Sequence, residues 1–332
     1  MQVSINNYST EKWKEFISKF PTHNIFHSPE MAKVFDLSEG FEQYSIFVHV
    51  DNKILAFVPA TLVKIKSLVP GKYSNRLILY ASPLYEFSDQ GEKAILIALE
   101  KVMDIAKKKS LFLEIRNSEK FPADRSGLDF SAYEYIPYQN YLVDLSSGCD
   151  NIWSSLNSST RNHVRKGEKR GMVVREMKED EITSTIDLLE NLYRSKNVPF
   201  LNKTVFTNAY KMLKNKKYIR IIVADYNSKI IGARISLNYG SIVYDWYAAA
   251  DSGFRNFYAN DALVWNTIRW GCDNNFKTFD FGGGAIKGQY YGPAKFKEKY
   301  KGELVEFGRY RFAPNKIVYF FANRIYNLIT KK

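Results

Sequence analysis

The sequence predicts an α/β protein of two tandem domains, each a mixed sheet with helices on its faces. Three observations carry this. The chain has 332 residues, which suits two domains of about 150. Hydrophobic residues make up 45% and aromatic ones 15%, enough for two cores and too many for a disordered chain. The same order of elements also occurs twice: strand, tight turn, strand, helix, strand.

In the first half, residues 44–50 are rich in β-branched and aromatic side chains and predict a strand. Asp51-Asn52-Lys53 supplies the turn, and 54–63 return as its partner. Residues 92–109 predict a helix, because Ala94, Ile95, Ala98, Leu99, Val102 and Ile105 recur at helical spacing. Residues 111–115 follow as a buried strand. In the second half, 219–224 and 230–237 are paired strands around a turn at 225–229, and 241–250 add another. Residues 260–274 predict a helix capped by Asn260. The strand at 278–281 then runs into Gly282-Gly283-Gly284. Lys53 and Glu114 are 61 positions apart and Lys229 and Asp280 are 51 apart, so the halves read as a duplication. The expected bounds are 1–146 for the first domain, 147–312 for the second and 313–332 for a C-terminal amphipathic helix.

Charge is the second informative pattern. The net charge is +13. Residues 161–178 hold seven Lys/Arg against two Glu, and residues 287–332 hold eleven against three acids. These two stretches account for the whole excess, so the positive charge is aimed at an anion rather than spread for solubility. Thr160 and Asn162 suit a helix start and Gly171 a stop. Arg161, Arg165 and Lys169 then fall on one face, a stripe suited to phosphate. A solvated basic face is the alternative.

Other function classes are excluded on the residues. Cys149 and Cys272 form no CxxC motif, which predicts free thiols in a reducing compartment. The four histidines show no metal-ligand spacing, and no metal is expected. The N-terminus lacks a secretory pattern and no window reaches 18 apolar residues, so a cytoplasmic location is expected. Residues 317–329 are amphipathic, flanked by Lys316, Arg324, Lys331 and Lys332. Such a segment packs on its own domain or lies peripherally on an anionic membrane surface.

Four stretches carry a family resemblance: 159–174, opening Ser-Thr-Arg-Asn-His-Val-Arg-Lys-Gly; 258–265, Tyr-Ala-Asn-Asp-Ala-Leu-Val-Trp; 279–283, Phe-Asp-Phe-Gly-Gly; and 291–300, Tyr-Gly-Pro-Ala-Lys-Phe-Lys-Glu-Lys-Tyr. In this order and spacing they resemble the FemAB-type branch of the GNAT acyltransferase superfamily, in which two GNAT-like domains sit in tandem. There are departures. His27-Ser28-Pro29-Glu30-Met31 stands where the family often has Gln-Ser-x-x-Trp, near Lys33, whose counterpart meets an acceptor phosphate. The coiled-coil insertion that some Fem ligases use with transfer RNA is missing. The loop 252–256 keeps only one Gly and one Arg of the coenzyme A loop of ordinary GNAT enzymes.

The resemblance implies direct transfer of an acyl group from an activated donor to an amine. No GxSxG elbow or Cys/His nucleophile pattern contradicts it. Such attack needs a deprotonated amine and stabilisation of the oxyanion. Lys297, the lysine after Phe296, is the candidate for the oxyanion. Asp280 is a candidate base or amine-orienting group, with a turn-capping role as the alternative. Gly282 and Gly283 allow backbone to approach a ligand. Arg161, Arg165, Lys166 and Lys169 are candidates for the acceptor's phosphate. Asp245 and Tyr247 are candidates for substrate contact from their strand.

The expected activity is therefore an N-acyltransferase acting on an amine of a phosphate-bearing cell-envelope precursor: an amino sugar, a lipid-linked sugar or a peptidoglycan peptide. The donor is acyl-CoA or aminoacyl-tRNA, which leaves transfer RNA open as a partner. DNA is not expected. The rival reading is a non-catalytic binder of nucleic acid or anionic membrane, or a family member whose catalytic groups have lapsed.

Overall fold

Why the chain forms two sheets follows from where its apolar alternation lies, and both appear in a computed structural model that describes residues 1–65, 71–120 and 130–330. Contacts divide the chain into two units, Met1–Pro137 with Phe307–Lys332, and Tyr138–Glu306.

The first unit contains strands β1 (Gln2–Ile5), β2 (Phe41–Val50), β3 (Lys53–Val63), β4 (Arg76–Leu79), β5 (Leu84–Tyr85), β6 (Phe112–Arg116) and β7 (Glu134–Ile136). Arg309–Phe312, which becomes β15 in chain order, pairs antiparallel with β6 and β7. Asp51 and Asn52 take positive φ and make the tight turn between β2 and β3. Helix α3 (Asp89–Lys109) is capped by Ser88, whose hydroxyl accepts from the Gly91 amide at 3.1 Å. Its predicted stripe of Ala94, Ile95, Ala98, Leu99 and Val102 is buried against Leu77, Leu113 and Ile115 of the sheet. Each large aliphatic there contributes about 1.5–3 kcal/mol.

Helices α1 (Thr10–Ser18) and α2 (Pro29–Asp36) also belong to this unit. The stretch that departs from the family pattern explains itself here. Ser28 caps α2 and Pro29 is its first residue. His27 is fully buried, accepting from the Asn24 amide on Nδ1 and donating from Nε2 to the Ser82 carbonyl at 2.8 Å. Burial therefore pushes this imidazole down to about 4, and it is a neutral structural residue.

The second unit has β8 (Gln139–Asp144), β9 (Val173–Glu176), β10 (Ile219–Tyr226), β11 (Lys229–Tyr239), β12 (Ile242–Ala250), β13 (Thr278–Asp280) and β14 (Glu303–Glu306). They lie in the order β14-β8-β13-β12-β11-β10-β9. Its helices are α4 (Cys149–Ser155), α5 (Ser158–Lys169), α6 (Ile182–Arg194), α7 (Lys203–Leu213), α8 (Ala259–Asp273) and α9 (Gly292–Glu298).

The duplication is visible in the pairing. β2, β3 and β4 are successive antiparallel neighbours and β6 then joins β4 parallel; β10, β11 and β12 are antiparallel and β13 joins β12 parallel. In each case the helix between the last two strands, α3 or α8, makes the crossover. The domain bounds differ from the expected ones. Residues 139–144, expected to close the first domain, pair with β13 and β14 of the second. Residues 309–312, expected to close the second, complete the sheet of the first. The predicted C-terminal helix is α10 (Lys316–Thr330); Lys331 and Lys332 lie outside the described residues. No helix among the described residues is long and apolar enough to cross a membrane.

Candidate active site

The site is built where two parallel strands part. β12 and β13 pair at Ile242–Thr278, Val243–Phe279 and Tyr244–Asp280. β13 stops at Asp280, while β12 runs on to Ala250. Opposite the Ile235–Ser236 step β12 carries an extra residue, Trp246, a β-bulge that increases its twist.

After β13 the chain turns through Phe281, Gly282 and Gly283. Gly282 has φ +71°, and a Cβ there would lie 2.7 Å from the Asp245 carbonyl oxygen, so only glycine fits. Asp280 Oδ1 accepts from the Gly282 amide at 2.7 Å and from Asn140 Nδ2 at 2.6 Å. Asn140 Oδ1 in turn accepts from the Gly283 amide at 2.8 Å. One residue of β8 thus ties both ends of the turn together. Asp280 does cap the glycine turn, but through one oxygen, which leaves Oδ2 for other work.

Lys297 reaches this turn from α9. Its ammonium donates to the Phe281 and Gly283 carbonyl oxygens, each at 2.5 Å. Two of its three N–H donors are thereby engaged. Burial lowers its pKa, opposed by the nearby Asp245 and Asp280 charges. Burial conversely raises Asp280, opposed by its Asn140 and Gly282 hydrogen bonds and by Lys297. Their environments shift both groups toward neutrality, the condition for moving protons near neutral pH.

Beside them Arg234 of β11 meets Asp245, with Nη1 2.5 Å from Oδ1 and both side chains at most one-tenth exposed. Tyr247 packs in an aromatic cluster with Tyr193, Phe200 and Phe206, ring centroids 5.4, 5.3 and 4.9 Å away. Phe296 packs on Tyr300 at 5.7 Å and helps to seat α9 on the core. The turn thus brings together Asp245, Asp280, Gly282, Gly283 and Lys297.

The basic residues of α5 divide by task. This helix begins at Ser158 after Asn157, earlier than Thr160 and Asn162 suggest, and Thr160 is buried. Arg161 turns back on α4, donating to the carbonyl oxygens of Ser154 at 3.1 Å and Leu156. It satisfies the orphan acceptors at that helix end. Arg165 lies over the Trp153 ring, 5.2 Å from its centroid. Together with Glu168, Trp265 and Arg269, both line a pocket of about 170 Å³. Lys166 lies over Tyr258 at 5.4 Å, and Lys169 is exposed in the last turn.

Sequence reasoning missed three features. Asn140 and Arg234 sit in strands with no motif around them. Asp261 of α8 is buried and accepts from Tyr300 Oη and Lys299 Nζ, both at 3.2 Å. Its Oδ2 is 4.0 Å from Nδ1 of His163, whose ring stacks on Tyr258 with centroids 3.9 Å apart. The cap expected at Asn260 is instead Tyr258, at φ +52°.

Residues 154–301, the segment containing every one of these groups except Asn140 and Trp153, match the family model described as an acetyltransferase (GNAT) domain. This segment is a GNAT domain. The whole chain has the fold of solved tandem GNAT proteins. A crystal structure of FemX superposes with a TM-score of 0.70 at 14% identity, over 97% of this chain and 99% of that one. The C-terminal domain of a putative lysylphosphatidylglycerol synthetase from Agrobacterium fabrum gives 0.59 at 12% identity, over 96% of each chain. A tandem GNAT protein from the clavulanic acid biosynthesis pathway gives 0.55 at 10% identity, over 95% and 99%. At these identities the likeness is one of fold. No curated protein matches the sequence. Among the described residues no group of three or more His, Cys, Asp or Glu is placed to hold a metal ion.

Proposed function

We propose that the chain transfers an acyl or aminoacyl group from a coenzyme A thioester or an aminoacyl-tRNA to an amine on a phosphate-bearing cell-envelope precursor. The observation that carries this reading is Lys297 seated on the carbonyls of Phe281 and Gly283 beside Asp280, within a GNAT domain. FemX and the lysylphosphatidylglycerol synthetase domain, which share the fold, support the envelope setting.

The donor lies along the part of β12 that runs past β13, where backbone groups face the gap. Its carbonyl carbon then reaches the glycine turn. Asp280 Oδ2 accepts a proton from the acceptor amine as the amine attacks. The third N–H of Lys297 stabilises the oxyanion, a contribution of about 3–4 kcal/mol for one such donor. The tetrahedral intermediate collapses, the carbon–sulfur or ester carbon–oxygen bond breaks, and the leaving thiolate or alkoxide takes up the proton that Asp280 received, which returns the carboxylate. Arg165, Lys166 and Lys169 draw the acceptor's phosphate, and Arg161 holds the turn that presents them. Asp245, through Arg234, fixes the strand from which Tyr247 borders the site.

A thermal-shift screen tests this with acetyl- and longer acyl-coenzyme A, free coenzyme A, UDP-amino sugars and bulk transfer RNA, followed by transfer assays on each donor that binds. A ligand at 100 times its Kd stabilises by about 2.7 kcal/mol, a shift of several degrees. A shift with a thioester fixes the donor as coenzyme A; a shift with transfer RNA and none with a thioester points to aminoacyl transfer, and a shift with a UDP-amino sugar identifies the acceptor. No shift and no transfer from either donor class overturns the reading.

A further inference from the structure

The first unit carries a second candidate site, on the sheet face opposite α3. Alternation along β6 sends Leu113 and Ile115 into the α3 core and Phe112, Glu114 and Arg116 to the other side. On the neighbouring strand Arg311 pairs in register with Glu114 and Arg309 with Arg116. Glu114 is 3% exposed and meets Arg116 at 2.9 Å, Arg309 at 3.2 Å and Arg311. Burial raises its carboxyl, but the three arginines outweigh that and hold it at about 2. α10 leans on the same face: Arg311 donates to Tyr319 Oη at 2.6 Å, and the Tyr319 ring meets Phe112 edge-on at 5.7 Å.

Between this face and α10 lies a groove of about 870 Å³, within the size range of small-molecule sites. Its described lining has two chemistries. One is a strip of Leu111, Phe112, Ile317, Val318, Phe321 and Ile325; the other is four guanidinium groups, of Arg76, Arg116, Arg309 and Arg311, against one carboxylate, Glu114. Ile317 is 72% exposed, and Phe321 and Ile325 are each 58% exposed. Such an apolar surface marks a binding site.

The combination selects the occupant. A peptide helix would use the strip but has no need of the guanidinium groups. A nucleotide or nucleic acid would use the arginines and leave the strip wet. Arginine suits a phosphate diester and the strip suits an alkyl chain. We propose that this groove holds one anionic phospholipid of a membrane, its phosphate among the arginines and an acyl chain along α10. This site is independent of the acyl-transfer reading.

Sedimentation of the full chain with vesicles tests it, using phosphatidylcholine alone and phosphatidylcholine doped with phosphatidylglycerol. Binding is expected only to the doped vesicles. The exposed pair Phe321→Ser with Ile325→Ser should weaken it roughly tenfold while the melting temperature holds. Phe320→Ser should leave it unchanged, because Phe320 is as exposed as Phe321 but does not line the groove. Glycerol 3-phosphate, a headgroup without a chain, should not compete. Equal binding to neutral vesicles, an equal loss with Phe320→Ser, or full competition by glycerol phosphate would each overturn the proposal. The Phe320 result would mean insertion of the outer helix face, and the glycerol phosphate result a plain phosphate site.

Discussion

Lys297 donates its ammonium to the carbonyl oxygen of Gly283 across 2.5 Å, so the cation assigned to the reacting carbonyl also closes the glycine turn. Lys297→Ala should therefore act on two observables. Turnover should fall at least tenfold, as about 10²–10³ is typical for an oxyanion donor. The melting temperature should drop by a few degrees, because two half-buried carbonyls lose a charged donor worth about 1–3 kcal/mol. Kinetics and a thermal melt on the same preparation separate the effects. Wild-type turnover would remove Lys297 from the chemistry whatever the melt shows.

Asp280→Asn should part stability from activity. Burial raises the Asp280 carboxyl above its ordinary 3.8. A raised acid contributes stability that is present below the ordinary value and is lost as pH climbs through the folded one. Near neutral pH the ionised carboxylate is thus a cost, which asparagine removes while keeping an oxygen for Asn140 and Gly282. The variant should melt at or above wild type at neutral pH, with no advantage in acid, and turn over slowly. A lower neutral melting point would show that the charge itself holds the turn.

The two arginines of α5 should behave differently. Arg161→Ala leaves the carbonyls at the end of α4 without their donor and should cost about 1–3 kcal/mol of stability. Arg165→Ala removes a guanidinium lying over Trp153. It should raise the acceptor's KM with little change in melting temperature. A stability loss confined to Arg165 would reverse the assignment.

Acid should unfold the first unit in stages. His27, held at about 4 by burial, contributes stability that is complete above the ordinary 6.5 and lost as pH falls through 4. Glu114, held at about 2, contributes stability that is complete above 4.5 and lost as pH falls through 2. Each is worth at most about 3 kcal/mol. Melting temperatures of His27→Gln should be flatter between those first two values, and those of Glu114→Gln flatter below. Unchanged slopes would show that other groups govern the acid limb.

Gly282→Ala should damage the second unit severely for so small a change. Its φ of +71° disfavours any Cβ, and that Cβ would sit 2.7 Å from the Asp245 carbonyl. Soluble protein with normal melting and turnover would contradict the geometry of the turn.

The duplicated strand–helix–strand order was legible because it rests on local signals: turn residues at 51–53 and 225–229 and a helical stripe from Ala94 to Val102. Those signals do not report which sheet a short strand joins. β8 and β15 each pair with partners more than a hundred residues away, and so the domain bounds moved. At the candidate site, Lys297, Asp280 and the glycines stood in motifs, and the fold gathers them at one turn. Asn140 and Arg234 act through neighbours that only the fold supplies. Arg161 misled for the opposite reason: its place on a cationic stripe is local, but its acceptors are on another helix.

β15 also sets an order of events in the cell. A ribosome that has made residues 1–137 has not yet made the strand that covers the open edge of β6 or the guanidinium groups of Arg309 and Arg311 that neutralise Glu114. The whole second unit must emerge first, a wait of roughly ten to forty seconds at ordinary elongation rates. Until then the nascent first unit exposes a strand edge beside Glu114, which has Arg116 but neither of its later arginine partners. A stop codon or proteolytic nick just before residue 309 should thus injure the beginning of the protein rather than its end.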